Sequence, residues 1–123
     1  PDGWPKCQGD ILPSLDNSGI LVQMVHRFGA GIVGVALILG GMKFKESARE
    51  SDVHFGYSRT FNIATSLWLI NVFVGGMYVV YAKMGDFPEK LSLLHLLLGV
   101  TSFLAAAVGL MMLRLSDEGG LDE

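Results

Sequence analysis

Charge is what this chain has least of. Only 17% of its 123 residues are Asp, Glu, Lys or Arg, against 50% hydrophobic, and the mean hydropathy is +0.45. A soluble domain of this length sets charge on every exposed helix face. Here the charges are confined to short patches between long apolar runs, the pattern of a membrane protein. The net charge of −3 comes without a basic stripe, which argues against nucleic acid as a partner. Cysteine is nearly absent too. Cys7 stands alone, so it either pairs with a thiol outside this chain or stays a reactive thiol. Neither an internal repeat nor a low-complexity linker is present, and one compact membrane unit is expected. The first 18 residues hold no apolar core of the length a secretory signal requires. The chain thus opens on a polar loop, and a further helix ahead of Pro1 is expected.

The apolar runs divide into three spans, from about Gly19 to Met42, Thr60 to Ala82 and Leu91 to Leu113. At about 1.5 Å per residue each covers the roughly 30 Å hydrocarbon core. The expected fold class is an all-α membrane protein with three transmembrane helices, divided into an outer loop (1–18) and a transmembrane helical domain (19–123). Lys43, Lys45, Arg49, Arg59 and Arg114 flank one side of these spans, and Lys6, Lys83 and Lys90 the other. The bias orients the first loop and the C-terminus to the cytoplasm and the N-terminal loop outside, in a prokaryotic plasma membrane. The first and third spans then run in the same direction.

Two of the three histidines lie inside these spans. His26 follows Ile20-Leu-Val-Gln-Met-Val, and His95 follows Leu91-Ser-Leu-Leu. Both fall roughly 6–11 Å below the outer ends of co-directional helices. Ionisable side chains inside a membrane are costly and mark function. Two at one depth on facing helices make a pair of axial ligands for a haem iron, which needs one from each side of the ring. The bland alternative is a pair of polar residues hydrogen-bonding helices together. Arg27 fits the haem reading as a cation for the propionates, with snorkelling to the interface as its alternative. His54, in the polar Ser51-Asp-Val-His loop, reads as solvated.

Small residues follow both histidines at helical spacing: Ala30 and Gly34 after His26, and Gly99 after His95, with Gly31, Gly40, Thr101, Ala105 and Gly109 nearby. They leave room for a flat macrocycle, and they equally suit close helix packing. The second span has no histidine. It offers Asn62, Trp68, Asn71 and the Gly75-Gly76 pair, with Asn71 expected to bond across helices. Trp4, Tyr78 and Tyr81 read as interfacial anchors.

The segment Pro1-Asp-Gly-Trp-Pro-Lys-Cys-Gln-Gly-Asp-Ile-Leu-Pro, leading into Val25-His-Arg, resembles the outer loop and second helix of the haem A synthase family. Val74-Gly-Gly-Met-Tyr-Val-Val and Leu94-His-Leu-Leu-Leu-Gly resemble that family's third and fourth helices, so the similarity runs through nearly the whole chain in order. The resemblance implies a four-helix haem-binding bundle and the oxidation of a haem O methyl to the formyl of haem A, for terminal oxidase biogenesis. It implies that His26 and His95 hold the iron of a haem, b-type or substrate haem O, and that Cys7 forms a disulfide with a cysteine just ahead of Pro1. A second half-domain or a second copy is implied as partner, along with lipid and terminal oxidase assembly factors. Many members carry Glu three residues before the first histidine, where this chain has Gln23, an amide that cannot act as an acid or base near neutral pH. The alternative function is a non-catalytic b-type cytochrome subunit, such as the haem-bearing anchor of succinate dehydrogenase. A third reading is a small respiratory subunit without haem.

Overall fold

The structure, a computed structural model, describes residues 6, 9–47, 55–82 and 88–119. Three helices account for most of them: α1 (Ser18–Ser47), α2 (Phe55–Tyr81) and α3 (Glu89–Gly119), with no strand among the described residues. Cys7, Trp4, His54 and Lys83 lie outside the described residues. The protein is an all-α membrane protein with three helices long and apolar enough to cross a bilayer.

The helices have 30, 27 and 31 residues, roughly 40–46 Å each at the α-helical rise. All three exceed the apolar runs that announce them. An α-helix satisfies its backbone internally, so nothing obliges it to stop where hydrocarbon ends. α3 accordingly continues past Arg114 into polar sequence. The start of α1 is set by Asn17, whose side-chain Oδ1 accepts from the Gly19 amide at 2.8 Å while its carbonyl accepts from Leu21 at 3.0 Å. Pro88 opens α3, its carbonyl accepting from the Leu91 and Ser92 amides.

The helices are apolar on every side, and most of that surface stays outside the bundle. Val22, Val25, Phe28 and Ile32 on α1 and Leu93, Leu96, Leu97 and Phe103 on α3 are exposed. In water such faces would aggregate; in a bilayer they contact lipid. Hydroxyls are handled as hydrocarbon demands. Thr65 donates to the Phe61 carbonyl, Ser66 to Asn62 and Thr101 to Leu97, each one turn back on its own helix.

α2 is the middle helix, packed extensively along α3 and more sparsely along α1. The interior is correspondingly small: Met24, Leu37, Phe61, Ala64 and Val74, with the one buried polar residue Ser102 among those described. Glycines make the close contacts. Phe61 sits where a Cβ on Gly109 would come within 2.8 Å of its ring, with Gly40 of α1 on its other flank and the Phe44 ring, tilted by 43°, 4.7 Å away centroid to centroid. Gly34 receives the six-membered ring of Trp68, leaving no space for even a methyl group. The small residues after the two histidines therefore serve helix packing at Gly34, Gly99 and Gly109, while Ala30 and Gly31 line open space.

Ser102 ties α3 to α2 by donating to the Ala64 carbonyl at 2.8 Å. Ser102→Ala is expected to lower stability by about 0.6–1.7 kcal/mol, the range for interhelical hydrogen bonds in membranes. Unfolding by SDS in mixed micelles would measure it; an unchanged midpoint would show that the carbonyl, already bonded within α2, gains nothing from the hydroxyl.

Candidate functional site: a histidine-lined cavity

α1 and α3 both begin at the end of the bundle where α2 finishes. His26 lies eight residues after Ser18, and His95 six after Glu89, about 9–12 Å along each helix. Equal depth plus a shared neighbour, α2, brings the two imidazoles together, with ring centroids 6.0 Å apart and planes at 72°. Both line one cavity of about 670 Å³, within the range of ordinary small-molecule sites. Its polar lining is Gln23, His26, Arg27, Asn71, Tyr78 and His95. Its apolar walls include Ala30, Gly31, Trp68, Gly75 and Gly76.

The two histidines are held differently. His95 is half-buried, and its Nδ1 lies 3.0 Å from the backbone carbonyl of Asn71. A carbonyl only accepts, so the bond puts the proton on Nδ1 and turns the lone pair of Nε2 outward. Gly75, four residues on from Asn71 and on the same face of α2, makes this approach possible. A Cβ there would stand 2.8 Å from His95 Cε1 and 3.1 Å from Nδ1. His26 is exposed, and no hydrogen bond reaches its ring among the described residues.

Gln23 and Arg27 flank His26 on α1, and both line the cavity. Gln23 Oε1 is buried without a hydrogen-bond partner among the described residues, as is Asn71 Oδ1. Buried acceptors of this kind are costly unless something donates to them. Asn71 is expected to bond across helices, and it does. The contact that reaches another helix is its carbonyl, which every residue carries and no sequence pattern marks. Gly75 was missed as the seat of His95 for a similar reason: a glycine in an apolar span signals close approach without naming what approaches.

Two imidazoles can hold a metal only if other ligands complete its shell. No cluster of three or more His, Cys, Asp or Glu occurs among the described residues, which leaves a bare four-coordinate ion short of ligands. A macrocycle supplying four ligands of its own needs only two axial ones. Two metal–nitrogen bonds of about 2 Å plus two ring half-widths of about 1 Å give about 6 Å between centroids, matching the observed 6.0 Å. The residues present thus fit a haem: two imidazoles at ligating separation, one with its tautomer set by a second-shell carbonyl, and a cation for carboxylates. Comparison with family models, curated proteins and solved structures finds no match to this chain.

Proposed function

We propose that the chain is a haem-handling membrane protein of the haem A synthase type, converting haem O to haem A by oxidation of a ring methyl to a formyl group for terminal oxidase biogenesis. The observation that carries this reading is the histidine pair, 6.0 Å apart in one cavity with His95 oriented through Nδ1. Haem, when bound, supplies the redox chemistry, and the protein supplies binding, orientation and electrostatics. His26 and His95 would hold the iron. Arg27 pairs with propionates. Trp68, Val72 and Val79 keep water from the apolar part of the ring. The cavity end faces the outside of a prokaryotic plasma membrane and the α1–α2 connection the cytoplasm, following the Lys and Arg bias. A second half-domain or a second copy provides a further haem site.

One observation favours the runner-up, a non-catalytic b-type cytochrome subunit: no carboxylate lines the cavity among the described residues. Proton transfer near a reacting group contributes about 10²–10⁴-fold, and Gln23 cannot provide it. Purified protein loaded with haem O separates the readings. A low-spin bis-imidazole spectrum together with a formyl-haem product supports the synthase; the spectrum without the product supports the cytochrome; no haem spectrum refutes both. Gln23→Glu is expected to raise formyl-haem formation at least about 100-fold, the low end of the general acid–base range. An unchanged rate with haem still bound would show that this position does not limit oxidation. Loss of haem would assign Gln23 a structural hydrogen bond in the pocket.

A further inference from the structure

The two imidazoles differ in everything except depth, and the difference has a chemical meaning. His95 is wedged: its ring occupies space that only a glycine at position 75 leaves open, and its Nδ1 donates to Asn71 O. Rotating it away breaks that bond. His26 meets neither constraint. It is exposed, no hydrogen bond reaches its ring among the described residues, and the ring contact it makes there is the edge-on one with His95. It also rides on α1, the helix packed more sparsely against α2. Ligands oriented by a second-shell partner bind metals more tightly than those without one.

We propose that the pair is functionally unequal: His95, seated on Gly75 and oriented by the Asn71 carbonyl, is the fixed ligand, and His26 is the exchangeable one, whose place at the metal a small external ligand takes. This rests on the haem reading above. The exchange breaks the bond from His26 to the metal and forms one from the incoming lone pair, with no change of oxidation state. Gly75 is then a positioning residue, and the cavity on the His26 side is where an external ligand reaches the metal.

The test uses the full chain in detergent, loaded with haem and probed with imidazole in the ferric state and carbon monoxide in the ferrous state. His26→Ala is expected to weaken haem binding by less than about tenfold, to turn the spectrum high-spin, and to recover low spin with added imidazole. His95→Ala is expected to weaken binding at least about 100-fold. Gly75→Ala should reproduce His95→Ala with unchanged helicity, because the added methyl meets a side chain able to rotate and not backbone. Carbon monoxide should bind wild type by displacing His26 and bind His26→Ala at least about tenfold more tightly. Equal losses in the two histidine variants, or imidazole rescue of His95→Ala alone, would overturn the proposal.

A readout without haem separates its failure from that of the haem reading. Nitrogen-15 NMR of the imidazoles should show His95 as the Nδ1–H tautomer, lost in Gly75→Ala, and His26 with no fixed tautomer. That signature in a chain taking up no haem refutes the haem reading, and ligand exchange with it, while the pinned His95 stands. Two histidines with the same averaged tautomer refute the inequality whatever the haem result.

Discussion

Replacing Gly34 with leucine is expected to detach α1 from α2. Gly34 faces the Trp68 ring so closely that a single added carbon has no room, and leucine adds four. Overpacking a tight contact costs about 1–3 kcal/mol, occasionally more. The upper end applies here, because the neighbour is a large aromatic ring and α1 has few other holds on α2. Part of the cost is offset by the roughly 0.8–1 kcal/mol by which an ordinary residue exceeds glycine in helix propensity, so the net loss should be about 2 kcal/mol. Haem uptake should fall with it, since Trp68 also walls the cavity and α1 carries His26. Unfolding in mixed micelles measures the first effect and haem titration the second. Adding Trp68→Ala to Gly34→Leu should recover much of the stability, as expected for residues in direct contact. A Gly34→Leu chain as stable as wild type would mean that Trp68 has another place to go.

Removing both imidazoles is expected to abolish haem binding and leave the fold standing. His26→Ala/His95→Ala takes away both axial positions, and haem affinity should drop well beyond the roughly 10–100-fold typical of losing one second-shell partner. The bundle should survive, because neither ring belongs to the small core of Met24, Leu37, Phe61, Ala64 and Val74. The Asn71 carbonyl lies inside α2, where its own helical hydrogen bond remains when His95 is gone. Circular dichroism should show unchanged helicity while the haem absorbance disappears. If the double variant still bound haem with a low-spin spectrum, the ligands would lie elsewhere, and the 6.0 Å approach of the rings would be a packing contact.

Several features of the site were legible in the residues because they depend on distance along a helix alone. His26 and His95 share a depth since each follows its helix start by a similar count, and Gln23 shares a helix face with His26 at i+3 and with Arg27 at i+4. Others were ambiguous. The glycines after each histidine were compatible with a macrocycle or with helix packing, and periodicity cannot choose between them. Trp68 in Gly34 and Phe61 against Gly109 show that α2 supplies the occupants. A single-helix pattern carries no information about which large side chain of a neighbour arrives at a given notch.

Hydropathy alone was enough for the three crossings and their approximate limits, because every apolar residue adds to the favourable transfer into hydrocarbon wherever its helix points. It was also enough to put two imidazoles at one level. Which way they face depends on the rotation of each helix about its axis and on who packs in the middle, and those follow from contacts between residues far apart in the chain. Tertiary packing made α2 the central helix, turned both histidines into one cavity, and brought His95 onto Gly75 and the Asn71 carbonyl. The inequality of the two ligands arises only there. A hydrogen bond to a backbone carbonyl on another helix is a fact of approach, and approach is decided by volumes meeting across an interface, which no one helix encodes.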